Sequence, residues 1–204
     1  HEGHDFGYEM GRLAMAFFPG RPVGEREDGD GRLTTRLRPE GEDLSLAVRL
    51  EEAARPPRAL ERTLPGGALL PANEQERELG LLLYDFLSGQ TGLSLPWGIL
   101  TGVRPIKLFH RAAARGMDDA DMADYFSRRY RLSPERIALG CQVRRREARL
   151  IDRCDRQGFS LYISIPFCPG RCSYCSFVSH SVAQAQRLIA PYVECLVREL
   201  EILG

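Results

Sequence analysis

A loop with three closely spaced cysteines constrains this chain more than any other feature. Cys168, Cys172 and Cys175 stand in the spacing C-x3-C-x2-C within the segment LYISIPFCPGRCSYCSF, directly after an apolar run. Thiolates this close together can wrap one side of a metal cluster, because an iron–sulfur cube is held by about one cysteine per iron. Three thiolates leave one iron of such a cube open to another ligand. The spacing therefore predicts an iron–sulfur site with one open iron.

The same cysteines allow two other interpretations. A zinc ion could be bound with Cys154 or a histidine as the fourth ligand, but zinc sites usually combine two cysteine pairs, and no second pair is visible. Disulfides are rare in a reducing compartment, which is where we expect a chain with six cysteines and no visible secretory segment. The pattern favours the iron–sulfur cluster over both.

Charge and hydropathy limit which binding partners and which cellular compartment we expect for the chain. Lys plus Arg equals Asp plus Glu at 28 each, so no overall charge points to nucleic acid or to a membrane surface. No run of about 20 apolar residues is present that could span a bilayer. The chain starts at His1 without a basic-then-apolar signal pattern. We expect a cytoplasmic protein that binds neither nucleic acid nor a membrane.

The first part of the chain combines helical and strand patterns. Apolar residues recur at helical spacing over residues 5–18, which predicts a helix. Apolar and polar residues alternate over 33–37 and again over 44–50, with turn residues between them. This alternation predicts a β-hairpin with one buried face. The prolines of Pro56-Pro57 predict a loop after the hairpin.

Several helices are predicted to follow. Asn73 and Glu76 match a capping box, and leucines then recur at helical spacing, so we expect a helix over about 74–88. Three further helices are predicted at 105–116, 118–130 and 133–153, the last with Ser133 as its N-cap. Arg104 and Lys107 stand where the first of these begins and could hold an anion, although ordinary capping and solvation explain them better.

The cysteine loop lies between a predicted strand and a predicted helix. Apolar and polar residues alternate over 159–165, which predicts a strand, and apolar residues recur at helical spacing over 188–203. A strand, a loop and a helix form one βα unit, and α/β folds place their active sites at the carboxyl ends of strands. We therefore expect one domain over 1–155 and a second that begins at 156 and is cut off at Gly204.

Two groups of residues resemble one branch of known enzymes. The motif Y-x-x-I-P-F-C-x3-C-x-Y-C-x-F, followed by Y-x-x-x-L-x-x-E, is similar to the oxygen-independent coproporphyrinogen III oxidase branch of the radical S-adenosylmethionine (SAM) enzymes. The segments WGILTGVRPIKLFHR and EGHDFGYE resemble more narrowly the coproporphyrinogen dehydrogenase subgroup, which carries a long extra N-terminal domain. The resemblance implies an α/β fold: an α+β N-terminal domain with a β-hairpin and several helices, followed by the first βα unit of a truncated radical SAM TIM-like barrel.

The resemblance also implies roles for five residues. By their places in the motif, Cys168, Cys172 and Cys175 would bind a [4Fe–4S] cluster. Tyr162 and Tyr174 would contact SAM, which would occupy the open iron. The family often has histidine where this chain has Ser164, so no contact is carried over to that position.

The reaction implied by the resemblance is the oxidative decarboxylation of two propionate side chains of coproporphyrinogen III to vinyl groups, which gives protoporphyrinogen IX in haem biosynthesis. Such a protein needs an electron donor for its cluster, and its remaining SAM and substrate contacts would lie beyond Gly204. The chain would then be an N-terminal fragment that is inactive alone. A neighbouring branch shares the cysteine loop but binds and transfers haem as a chaperone, which is the main alternative. A third interpretation makes residues 1–155 an RNA- or partner-binding module.

Overall fold

The computed structural model describes residues 1–20, 29, 31–102, 104–154, 157–173, 175–177 and 179–203. By their internal contacts, the residues divide into two compact units, His1–Arg153 and Cys154–Gly204. The first unit contains a three-stranded sheet and five helices, and the second contains a two-stranded sheet and one helix, among the residues described. The observed class is therefore mixed α and β, with an antiparallel sheet in the first unit.

The predicted β-hairpin is confirmed and forms two strands of the first sheet. Strand β1 spans Gly31–Glu40 and pairs antiparallel with β2, Asp43–Glu52. Their register places Leu33 opposite Leu50 and Leu37 opposite Leu46, so the alternating apolar residues share one face. That face is buried and supplies part of the main core.

A third strand occupies the segment that was predicted to be a loop. Strand β3 spans Arg55–Leu64 and pairs antiparallel with β2, giving the sheet order β1-β2-β3. The loop prediction at Pro56-Pro57 was wrong because proline is excluded only from positions that must donate to a neighbouring strand. These prolines lie on a strand at the edge of the sheet, where the missing N–H groups break no ladder.

Two helices pack with the buried face of the sheet to form the main core. Helix α1 spans Gly7–Phe17 and α2 spans Ala72–Thr91, which confirms both helical predictions. The fully buried side chains of this core come from both helices and from β2: Leu13, Phe17, Leu44, Leu46, Val48, Leu79, Leu82, Leu83 and Leu87. Burial of a leucine-sized side chain contributes about 1.5–3 kcal/mol, so these residues supply the stability of the sheet layer.

The capping box predicted for α2 is wrong. The helix begins at Ala72, and its N-cap is Pro71, which has no side-chain group to accept a hydrogen bond. Asn73 therefore already lies inside the first turn, where its side chain cannot cap the helix. The loop before the helix is held instead by Gln75, whose side-chain amide donates to the carbonyl of Leu70 at 2.9 Å.

Three more helices form a second core within the first unit. Helix α3 spans Ile106–Ala114, α4 spans Asp119–Tyr130 and α5 spans Pro134–Ile151, close to the predicted bounds. Phe109 of α3 stacks on Phe126 of α4 with ring centroids 4.0 Å apart, and both side chains are fully buried. Ser133 caps α5 by accepting from the backbone N–H of Arg136, as predicted.

The second unit contains the cysteines of the loop. Strand β4, Phe167–Cys168, pairs parallel with β5, His180–Ser181, and helix α6 spans Val182–Leu203. The prediction of a strand over 159–165 was wrong: these residues adopt no strand, and the side chains of Phe159 and Ile165 are exposed. A strand needs a neighbour to receive its backbone hydrogen bonds, and none of the described residues pairs with this segment.

None of the helices described here is both long enough and apolar enough to cross a membrane. The longest, α6, carries charged residues along its length and contains Pro191 within it.

Candidate functional site

The three cysteines of the loop lie on a short stretch of chain that is only partly buried. Cys168 is the last residue of β4 and is half-buried, Cys172 is exposed, and Cys175 is half-buried. The backbone N–H of Cys175 donates to the carbonyl of Cys172 at 3.0 Å, which makes a tight turn between them. All three are free thiols. The loop thus presents three thiols that a metal or a reagent could reach.

The two ends of the cysteine loop are joined by backbone hydrogen bonds. The parallel pairing of β4 with β5 places Phe167 opposite His180 and Cys168 opposite Ser181. The N–H of His180 also donates to the carbonyl of Pro166 at 2.7 Å. These bonds close the segment 167–181 into a loop whose base is fixed. All three cysteines lie at or beyond that base, on the same closed loop.

Helix α6 contributes one side chain to the base of the loop. The ring of Tyr192 meets the ring of Phe167 edge-on, with centroids 5.4 Å apart and planes at 80°. Its hydroxyl donates to the backbone carbonyl of Ser164. In the sequence, Tyr192 lies within the helical pattern over 188–203, which predicts no role for it at the loop. The sequence feature that could have indicated this role is that Tyr192 is the first residue of the Y-x-x-x-L-x-x-E motif.

Of the two tyrosines expected to contact SAM, the structure describes Tyr162. The side chain of Tyr162 is 79% exposed, and within the described part of the chain no hydrogen bond or ring contact joins it to a cysteine. Tyr174 lies outside the described residues. Tyr162 is therefore accessible to a small molecule, and both roles stay predictions.

The donor chemistry of the loop fits an iron–sulfur cluster. Cysteine thiolates are the standard ligands of such clusters, and three are present on one closed loop. Among the described residues, no three His, Cys, Asp or Glu side chains are already gathered as a metal site. The ligands are therefore of the right kind and lie on one loop.

A second feature of the described chain is a cleft of about 230 Å³ in the first unit. It lies where α1, the start of α2 and the WGILTG segment meet. Both apolar and charged residues line it, including Glu9, Met10, Leu13, Glu74, Glu76, Arg77, Ile99, Leu100 and Tyr130. Both segments that resemble the dehydrogenase subgroup, EGHDFGYE and WGILTGVRPIKLFHR, thus contribute to its lining.

The carboxylates of this cleft fall into two classes. Glu74 accepts hydrogen bonds from Arg77 and from Arg129, and those guanidinium groups hold its pKa below the usual value. Glu9 and Glu76 form no ion pair with any described residue. Burial, reinforced by the charge of Glu9, raises the pKa of Glu76. The cleft therefore keeps one carboxyl group in a setting that opposes its ionisation.

Replacing Glu76 with glutamine is expected to stabilise the first unit near neutral pH. The substitution removes the charge and keeps the size of the side chain. Because the folded-state pKa of Glu76 is raised, its charged form weakens folding above that pKa, and the penalty disappears as the carboxyl is protonated at lower pH. Glu76 is partly exposed and screened by solvent, so we expect a gain below about 1 kcal/mol.

Urea unfolding of this chain measures that gain, followed by the fluorescence of Trp97, its single tryptophan. The gain should be present near neutral pH and absent near about pH 3, below the ordinary carboxyl range. Glu9→Gln is the matched variant: it should shift stability in the same direction, and the double variant should gain less than the sum. A gain that is equal at both pH values contradicts the electrostatic explanation.

The two basic residues considered as a possible anion site, Arg104 and Lys107, lie at the start of α3. Arg104 and Lys107 both have exposed side chains, and Arg104 has a φ of 65° immediately before Pro105. Nearby, the guanidinium of Arg136 lies 5.6 Å from the ring centroid of Trp97. Trp97 packs against the second core.

The chain resembles an oxidase-like protein. It is 30% identical over 122 residues to the oxygen-independent coproporphyrinogen-III oxidase-like protein HemZ of Bacillus subtilis (strain 168). The match covers 59% of this chain and 24% of that relative, so the chain spans about a quarter of the length of the protein it matches. No protein-family model matches the chain. No solved structure matches it either.

The name of the relative agrees with the branch that the cysteine motif resembles. It contains the words oxygen-independent coproporphyrinogen-III oxidase and the qualifier "like". The printed name thus associates that relative with porphyrin chemistry.

Proposed function

We propose that this chain is part of a radical SAM oxidoreductase that converts coproporphyrinogen III to protoporphyrinogen IX without oxygen, in haem biosynthesis. The observation that carries the proposal is the set of three free thiols on one loop closed at its base by β4 and β5. The name of the Bacillus subtilis relative supports the choice of substrate class. Because that name reads "oxidase-like", the reaction itself needs a direct test.

In this proposal Cys168, Cys172 and Cys175 hold a [4Fe–4S] cluster, each through its thiolate. When bound, such a cluster would supply the electron for the reductive cleavage of SAM. Tyr162, which precedes Cys168 in the sequence, and Tyr174, which follows it, contact SAM. The exposed side chain of Tyr162 is available for that contact. The protein itself contributes binding, orientation and exclusion of water.

The proposal assigns different tasks to the two parts of the chain. Residues 156–204 are the beginning of the catalytic domain, and residues 1–155 are an accessory domain. The division into compact units at Arg153 and Cys154 supports a boundary there. The protein acts in the cytoplasm on a small-molecule substrate, receives electrons from a reduced donor, and requires neither nucleic acid nor a membrane.

The test is anaerobic reconstitution of the full-length protein with iron and sulfide, followed by reduction in the presence of SAM and coproporphyrinogen III. Mass spectrometry then measures 5′-deoxyadenosine and decarboxylated porphyrin. We expect both products to appear together and Cys172→Ala to abolish both, because the variant lacks one of the three proposed ligands. Arg171→Ala changes the neighbouring exposed residue and serves as the control that retains both products.

Two outcomes would overturn the assignment. A cluster that forms while the porphyrinogen stays intact and haem is bound assigns the protein to haem transfer. SAM cleavage that proceeds at the same rate with and without the porphyrinogen shows that the substrate is a different molecule.

A further inference from the structure

The contacts of Tyr192 hold the chain immediately before the first cysteine. Its ring packs edge-on against Phe167, the residue before Cys168, with centroids 5.4 Å apart. Its hydroxyl donates to the carbonyl of Ser164, four residues before Cys168. A single side chain of α6 thus touches the segment at two points, one apolar and one polar.

That segment has little else to hold it. Residues 159–166 form no strand, and their apolar side chains are largely exposed. Within the described part of the chain, the remaining hydrogen bonds near Cys168 are those of β4 with β5 and of His180 with Pro166. Among the described residues, no donor other than the Tyr192 hydroxyl bonds to the carbonyl of Ser164. Tyr192 supplies the donor that a neighbouring strand would supply in a sheet.

We propose that Tyr192 is a positioning residue that fixes the backbone before Cys168 and thereby sets where the first of the three thiols stands. The inference rests on the proposed function, because the position of Cys168 matters for holding a cluster. Tyr192 acts through its contacts with Phe167 and Ser164, both of which come before Cys168 in the chain. Its effect is therefore specific to Cys168: Cys172 and Cys175 lie further along the loop, joined by their own turn.

Two substitutions separate the two contacts. Tyr192→Phe removes the hydroxyl and keeps the ring against Phe167, whereas Tyr192→Leu removes the hydrogen bond and the ring contact together. Val193→Ala is the matched control on the same helix, because Val193 is the next residue and its side chain is about half exposed. Each variant is made in the full-length protein.

The first readout needs no metal. Alkylation of the metal-free, reduced protein is followed for each cysteine separately by peptide mass spectrometry. Cys168 is half-buried, so its rate reports local opening of the chain. We expect Cys168 to be alkylated about fivefold faster in Tyr192→Leu than in the parent, and the increase to be smaller in Tyr192→Phe. The alkylation rate of the exposed Cys172 should be the same in every variant. Val193→Ala should match the parent.

The second readout is the lifetime of the cluster after anaerobic reconstitution. Loss of absorbance in the presence of an iron chelator should be fastest in Tyr192→Leu, intermediate in Tyr192→Phe and unchanged in Val193→Ala. Turnover is not needed for this measurement. The order of the three variants is the expected signature of a residue that acts through both its ring and its hydroxyl.

The outcomes distinguish this inference from the proposed function. Faster alkylation of Cys168 in a protein that binds no iron supports the positioning role and overturns the cluster. A cluster that forms while Cys168 alkylates at the parental rate in Tyr192→Leu overturns the positioning role alone. Equal acceleration at all three loop cysteines also overturns it, because Tyr192 would then support the whole unit and not one thiol.

Discussion

Alanine in place of any one of the three loop cysteines is expected to abolish iron binding by the anaerobically reconstituted full-length protein. Each thiolate is proposed to hold one iron of the cube, so a variant has two ligands left and two irons without protein support. Iron and acid-labile sulfide should fall from roughly four of each per chain to near zero. Both quantities are measured by colorimetric assay alongside the absorbance of the cluster.

The chain provides matched controls for this experiment, because three of its six cysteines lie outside the loop: Cys141, Cys154 and Cys195. Alanine at each of them should leave the iron content unchanged. Cys141 is the clearest case. Its side chain is buried, its sulfur lies 3.8 Å from the sulfur of Met122, and burial raises the pKa of its thiol, which disfavours the thiolate that a metal needs.

Two results would contradict the assignment of ligands. Loss of metal in the Cys154 variant, with zinc in place of iron in the parent, identifies a zinc site in which Cys154 is the fourth ligand. Full iron content in a Cys168, Cys172 or Cys175 variant shows that the loop is not the binding site. The control variants also test whether substitution of a cysteine unfolds the protein. A general loss of structure would lower the iron content of the control variants and of the loop variants alike.

The elements that the sequence predicts well are those whose signals are local. The hairpin of β1 and β2 follows from alternation within each strand. Ser133 caps α5, and Asp118 caps α4 in a reciprocal pair with Asp121, since each side chain accepts from the other's backbone N–H. Such contacts span three residues, so the residues that make them stand side by side in the sequence.

The elements that the sequence predicts badly depend on distant partners. Strand β3 carries two prolines and few apolar residues, and it is a strand because the outer side of β2 is open to it. The error at residues 159–165 is the opposite one, because a strand was predicted there and none forms. Their alternation is strong, yet none of the described residues pairs with them. Periodicity reports which side chains could be buried, whereas pairing decides whether a strand forms.

The candidate site divides in the same way. The spacing of the cysteines is local, so the type of ligand could be predicted from the sequence alone. The closure of the loop joins residues 167–168 to 180–181, and Tyr192 reaches back 28 residues to Ser164, so neither contact could be predicted from the spacing. The cleft with Glu9 and Glu76 is also formed by segments far apart in the chain.

Replacing Gly98 with alanine is expected to destabilise the first unit by about 2–5 kcal/mol. Gly98 has a φ of 54°, in the left-handed region that costs other residues energy, and its backbone lies against the connection between α4 and α5. A Cβ atom there would lie 1.8 Å from the carbonyl oxygen of Tyr130 and 2.6 Å from that of Arg131. These are backbone atoms, so no side-chain rotation can relieve the clash.

Backbone hydrogen bonds limit how far the loop that contains Gly98 could move. The N–H of Ile99 donates to the carbonyl of Tyr130 at 2.9 Å, and the N–H of Ser133 donates to the carbonyl of Pro96 at 3.0 Å. Moving the loop away to accommodate a methyl group would break these bonds and loosen the packing of Trp97. The strain and the lost hydrogen bonds therefore act in the same direction.

Gly102→Ala is the matched control for Gly98→Ala, because Gly102 lies in the same loop and a Cβ there would meet nothing within 4 Å. Its cost should stay within about 0.5 kcal/mol. Urea unfolding of this chain, followed by the fluorescence of Trp97, measures both variants with a reporter next to the substituted residue. Equal stability of the two variants would mean that the loop moves away from the α4–α5 connection at little cost, so that the contact at Gly98 does not fix the loop in place.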